Sequence, residues 1–341
     1  MSVKSSKLSA KKKKLIIKTV AIILVIAIGI TAALIIKDRK TDYNNEQKLS
    51  IAMNTIVTQK IYADVPGVHL EPIKAVIDVL DSYLSCKDED TVLSRLNREG
   101  TINDAVIADA LRTCLEVSEK SGGAFDVSMG KLSETWAIGT ENARVPSEEE
   151  VQTLLSQCGY EKITVEGNVI TIAEGVSVDL GAVGKGIACD YVMEYLRSND
   201  DIKGAVVSVG GSILAYGQHN KAGDKWNVGI RHPRKENEYL GIIHMTEGFV
   251  STSGDYERYF EEDGVRYHHI LDGNTGYPSD SGLISVTVVC DSGILSDALS
   301  TACLVLGRER AETLIEQYGA SGVLVDENMN ITVVGDIDFE Y

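Results

Sequence analysis

Three stretches of this 341-residue chain bring together side chains able to do polar chemistry. The first, Tyr267 to Pro278, reads YHHILDGNTGYP. Val265, Tyr267 and His269 alternate there with Arg266, His268 and Ile270, which predicts a strand delivering His269 and Asp272 to a turn built on Gly273, Asn274 and Gly276. A period of two sends His268 to the opposite face. The second stretch, VSVDLGAVGKGIACD from Val176 to Asp190, predicts a strand, a glycine turn and a helix. Gly181, Gly184 and Gly186 would let backbone amides approach a phosphate, and Lys185 adds an ammonium at the helix N-terminus. Its spacing is neither that of a Walker loop nor that of a dinucleotide fingerprint. The third, SDALSTACLVL from Ser296 to Leu306, predicts a helix with Asp297 in its first turn and Thr301 one turn later on the same face. A carboxylate and a hydroxyl are hard oxygen donors of the kind magnesium takes, whereas zinc would want His or Cys. Each stretch also has an ordinary reading: a hairpin end with surface histidines, a glycine turn before a helix, an acid favoured by the helix dipole.

The elements that position these groups show in the apolar spacing. Ser50 to Ala63 is β-rich; Ile73, Val76, Ile77, Leu80 and Leu84 follow at helical spacing. Val106, Leu111, Cys114, Leu115 and Val117 predict a second helix ending at Gly122–Gly123, and Ser147 with Glu150 forms a capping box. Residues 163 to 172 alternate about Gly167–Asn168 as a hairpin. Further strands are predicted over Ala205 to Val209, Trp226 to Ile230, Leu240 to Met245 and Ile284 to Val289. Six cysteines show no CxxC and no cluster with histidine, so buried thiols are expected rather than a zinc or redox site.

Charge divides the chain. Residues 1 to 40 carry nine lysines and Arg39 against Asp38, a balance of +9, so the whole-chain charge of −17 leaves −26 on the remainder. A body this acidic argues against nucleic acid as a partner. Thr19 to Ile36 holds no charged residue and as a helix would span about 27 Å, enough for a bilayer core. We therefore expect a basic tail (1–18), a transmembrane anchor (19–36), a linker (37–47) and one catalytic domain (48–341). The lysine-rich flank places the N-terminus in the cytoplasm and the domain outside the cell membrane. A cleaved signal peptide is the competing reading.

In this order AMNT (52–55), GGAFDVSMGKL (122–132), VDLGAVGKGIACD (178–190), TSGDYERYF (252–260), HHILDGNTGYP (268–278) and SDALSTA (296–302) resemble the ApbE family of FAD:protein FMN transferases. The resemblance implies a mixed α+β, T-fold-like domain. It also implies a magnesium-dependent enzyme that moves FMN from FAD to a threonine or serine hydroxyl of a client flavoprotein and releases AMP. On the matching positions, Ala182 (by its carbonyl), Asp297 and Thr301 would hold Mg²⁺. Met53, Lys87, Asp126, Lys185 and Leu271 would contact FAD, and His269 would assist catalysis, with Lys185 near the leaving charge. The chemistry agrees: pyrophosphate cleavage needs a cation, a positive group and a base, and His269 is expected to titrate near neutrality. The sequence departs from the family where an aromatic residue, commonly Tyr, often stacks on the flavin (here Ser85, Cys86, Lys87) and at Ser212, where the family commonly has Asp. A magnesium-dependent FAD pyrophosphatase and an anchored flavin-binding protein without turnover are the alternatives, the SDALSTA helix counting against the latter. An extracytoplasmic electron-transfer flavoprotein is the expected client.

Overall fold

The computed structural model describes residues 43–86 and 89–341. The basic tail, the candidate anchor, the first part of the linker and Lys87 lie outside the described residues. Among those described, no helix is long and apolar enough to cross a membrane. Linker residues 45–47 belong instead to the first strand, Asn45–Ala52.

Eight strands form the central sheet. Their spatial order is Asn45–Ala52, Thr55–Ala63, Ile202–Val209, Ser212–Gly217, Gly248–Gly254, Leu283–Cys290, Ser321–Asp326 and Ile331–Val334. Every neighbouring pair is antiparallel. Because side chains alternate, the inner strands serve two cores, whereas the edge strand Asn45–Ala52 is largely exposed. Val57, Ile61, Val207, Leu214 and Val288 face a layer containing the helices Gly67–Tyr83, Gly184–Arg197, Gly293–Leu306 and Arg308–Gln317. Tyr62, Ala215 and Val250 face the opposite way, under a three-stranded sheet of Trp226–Arg231, Tyr239–Met245 and Phe339–Glu340.

The helix Gly293–Leu306 is covered on both sides, by the central sheet and by the helix Ala105–Ser121. Ala298, Leu299, Ala302, Cys303 and Leu304 on it are fully buried, and each large apolar side chain so enclosed contributes about 1.5–3 kcal/mol. Polar residues in such a helix are the exception, and Asp297 and Thr301 are two of them.

Local signals mostly hold. Ser147 and Glu150 form the capping box of Glu148–Leu155. Ala105–Ser121 begins with Asp104 accepting from the Ile107 amide and ends on Gly122 in the left-handed region. Strands Ile163–Glu166 and Val169–Ile172 pair about Gly167. Two expectations need correction. Val176 to Leu180 is no strand: its ladder pairing is limited to one bridge, Ser177 with Met129, and Val176, Val178 and Leu180 are held by burial instead. The SDALSTA helix starts earlier, at Gly293 with Ser292 as its cap, so Asp297 sits in the second turn, where the dipole does little for it.

Candidate active site

A cleft of about 520 Å³ opens at one end of the central sheet, where chain segments far apart in sequence converge. Met53, Asp126, Ala182, Lys185, His269, Leu271, Asp297 and Thr301 all line it. Lys87 lies outside the described residues, while the preceding Cys86 lines the cleft. Asp272 and His268 do not line it.

Met53 reaches the cleft from the turn between the first two strands. Met53 and Asn54 both take positive φ (51° and 54°), an uncommon conformation for residues with a side chain. The Asp81 carboxylate offsets part of that strain by accepting from the Met53 amide at 2.7 Å.

Lys185 and Asp297 are brought together by a close crossing of Gly184–Arg197 and Gly293–Leu306. A Cβ on Gly186 would lie 2.1 Å from the Gly293 carbonyl oxygen, and one on Gly293 would lie 2.3 Å from that of Gly186. No other residue fits at either position. Asp190 clasps the crossing: its two oxygens accept from the Gly293 and Ile294 amides at 2.7 and 2.8 Å. Burial raises the Asp190 pKa and these bonds oppose the rise. Gly186, the second glycine of the GKG run, therefore serves helix contact, not phosphate approach. Its amide is spent on Asp297 Oδ2 at 2.6 Å. Gly184 is the open one, since its Cβ would meet only Leu84 and Met53 at an ordinary 3.8 Å.

Asp297 is 4% exposed and takes a second bond at Oδ1 from the Ser212 hydroxyl, at 2.6 Å. One donor on each oxygen leaves both with lone pairs for a cation. Among the described residues no group of three His, Cys, Asp or Glu side chains could hold a metal. A set of one carboxylate, one hydroxyl and a carbonyl suits Mg²⁺, which keeps several waters and shares substrate phosphates instead of seeking an all-protein cage. Asp126 is nearly buried; its oxygens accept from the Ser128 and Tyr160 amides at 2.7 and 3.0 Å. Burial raises its pKa, with those bonds pulling downward. It shapes the loop that walls the cleft.

His269 follows the strand Val265–His268, and its Nδ1 lies 3.3 Å from the Arg258 carbonyl. A carbonyl can only accept, so Nδ1 carries the proton and Nε2 keeps its lone pair. Burial, then the Arg258 and Lys185 charges, lower the His269 pKa to about 4. The expected titration near neutrality is thus displaced downward, and the ring is neutral at pH 7. His268 is turned inward. Nε2 donates to the Ser279 carbonyl at 2.9 Å and Nδ1 accepts from the Ile270 amide at 3.3 Å, which uses both nitrogens structurally.

Sequence reasoning passed over Arg258, Thr252 and Ser253, and met Ser212 only as a departure from the family. The first three lie inside TSGDYERYF, whose strand Gly248–Gly254 is too rich in small polar residues to show an apolar alternation. Only a basic residue within that motif could have pointed to the cleft.

The model of the ApbE family matches residues 53–324. The FAD:protein FMN transferase of Treponema pallidum is 32% identical over 297 residues, covering 80% of this chain and 81% of that protein. The protein of the same name from Vibrio cholerae is 35% identical over 254 residues, 72% of this chain and 75% of its own. Among solved structures, the ApbE protein of Thermotoga maritima superposes with a TM-score of 0.79 at 31% identity, over 85% of this chain and 97% of that one. The flavin transferase ApbE from Vibrio cholerae does so with 0.74 at 26% identity, over 85% and 97%.

Proposed function

The chain belongs to the ApbE family, and on that premise we propose that its cleft performs the family's reaction as an FAD:protein FMN transferase. The observation that carries this reading is the meeting of Lys185, His269, Asp297 and Thr301 in one cleft from three separate segments. A client threonine (or serine) hydroxyl attacks the FMN-side phosphorus of FAD. Nε2 of His269 takes the hydroxyl proton as the oxygen–phosphorus bond forms. The bond from that phosphorus to the bridging oxygen breaks, and AMP departs with its charge facing Lys185. The product is an FMN phosphodiester on the client. Met53, Asp126 and Leu271 border the space for FAD, with Lys87 assigned to it by position in the sequence.

Asp297, Thr301 and the Ala182 carbonyl are the groups that would hold Mg²⁺, which when bound neutralises charge on the pyrophosphate oxygens. Residues 19–36 anchor the protein in the cell membrane with the lysine-rich end inside, so the client is an extracytoplasmic electron-transfer flavoprotein. The charge asymmetry and the uncharged apolar run support this.

The test is incubation of the protein with FAD, Mg²⁺ and candidate extracytoplasmic flavoproteins, followed by mass measurement. One FMN gained per AMP released is expected, and Asp297→Ala should abolish both AMP release and transfer. AMP release with no client gaining mass would favour the pyrophosphatase reading instead.

A further inference from the structure

We propose that Ser253, on the strand Gly248–Gly254, is a positioning residue that turns the Thr301 hydroxyl into a pure oxygen donor toward a divalent cation in the cleft. The inference rests on the reading of the site just given. A serine or threonine hydroxyl has a single proton to donate. Ser300 donates its proton to the Asp297 carbonyl at 3.0 Å. At the 2.8 Å contact between Ser253 and Ser300 the donor must therefore be Ser253. Its proton is then spent. At the 3.2 Å contact with Thr301 Oγ1, Ser253 can only accept, so Thr301 donates. The relay runs one way: Thr301 to Ser253, Ser253 to Ser300, Ser300 to the carbonyl of Asp297. It draws the Thr301 proton back toward the strand and leaves lone pairs for the cleft, which Thr301 and Ser253 both line. Ser212 acts in the same sense on Asp297, whose Oδ1 it holds at 2.6 Å while the Gly186 amide holds Oδ2. Such outer partners fix the orientation of metal-binding groups and typically govern affinity by about 10–100-fold.

The molecule supplies its own control. Ser251, on the same strand, meets Ser296 on the same helix at 2.7 Å, and Ser296 in turn donates to the Gly293 carbonyl at 2.8 Å. This is the same kind of strand-to-helix bond, yet neither residue lines the cleft.

The experiment compares full-length wild type, Ser253→Ala, Ser253→Thr and Ser251→Ala. Mg²⁺ is titrated calorimetrically in the presence of FAD, and FAD affinity is measured separately without metal. Ser253→Ala should weaken Mg²⁺ binding about tenfold and leave metal-free FAD affinity unchanged, whereas Ser253→Thr, which keeps a hydroxyl, should restore it. Ser251→Ala should lower the melting temperature about as much as Ser253→Ala does, yet bind Mg²⁺ like wild type. Equal affinity in Ser253→Ala and wild type overturns the proposal, as does an equal loss in Ser251→Ala, which would make the effect one of stability. Should Ser253→Ala not fold, Ser253→Cys replaces it with a weaker donor, and unchanged affinity there is equally contrary. Wild type that binds no Mg²⁺ with FAD present would sink this proposal together with the metal reading beneath it. A wild type that binds while all variants bind alike removes the positioning role alone.

Discussion

His269, the proposed base, has its protonation set by its surroundings. With Nδ1 committed to the Arg258 carbonyl and the pKa lowered to about 4 by burial and neighbouring cations, Nε2 is free throughout the neutral range. A depressed histidine pKa means the competent neutral form is lost only as pH falls through about 4, so single-turnover transfer in the wild type should be flat between pH 6 and 8 where this ring is concerned. His269→Ala should keep that flat profile at a rate lower by roughly 10²–10⁴. A slope over pH 6–8 that vanishes in His269→Ala would show that bound substrate has restored the ordinary pKa. His268→Ala should separate from it cleanly. Its loss leaves the Ser279 carbonyl and the Ile270 amide without partners, costing about 1–3 kcal/mol of stability in urea denaturation while most transfer survives. The division between the two histidines was legible in the sequence, because a strand period of two assigns them opposite faces. The pKa was not, since the burial that lowers it first, and then the Arg258 and Lys185 charges, come from other elements.

The helices Gly184–Arg197 and Gly293–Leu306 carry the proposed cationic and metal-binding groups, and Asp190 joins them. Asp190→Ala would orphan two buried amides at the start of the second helix, at roughly 1–3 kcal/mol each, with a lower melting temperature as the readout. Mg²⁺ affinity should fall with it, because Asp297 lies one turn past those amides. Much of this layer could be read in advance. The apolar spacing of Ile73, Ile77 and Leu80 and the caps at Ser147 and Gly122 are short-range signals, and they act in the folded protein as they read. Other elements answer to tertiary contacts. Val176 to Leu180 alternates like a strand, yet the fold offers it only a single-bridge partner. Strand Gly248–Gly254 is silent in hydropathy because its inward serines bond helix hydroxyls instead of apolar side chains. Gly186 looked like a phosphate-loop glycine, and only the crossing partner shows that its missing side chain makes room for Gly293.

For the whole molecule the decisive features are the segregated charge and the place of the cleft in the chain. Every cleft residue lies beyond Ala52, and the first strand starts at Asn45. A protein lacking residues 1–42 should therefore be soluble, cleave FAD with Mg²⁺ and transfer FMN at a rate close to that of the full chain. Aggregation or loss of FAD cleavage would mean that the N-terminal segment is part of the working fold. In intact cells, added protease should remove the acidic domain and spare a tag at Met1. Protection of the domain would reverse the orientation and with it the class of client.

The facing glycines have a consequence for inheritance. At most contacts a substitution on one side can be compensated on the other, so partners drift as pairs. Gly186 and Gly293 each abut the other's main-chain carbonyl, which no mutation can shorten. Neither change can rescue the other, and the two sites are locked independently. A library randomised at both positions and selected for flavin transfer should return glycine at each, with no compensated pairs among the survivors.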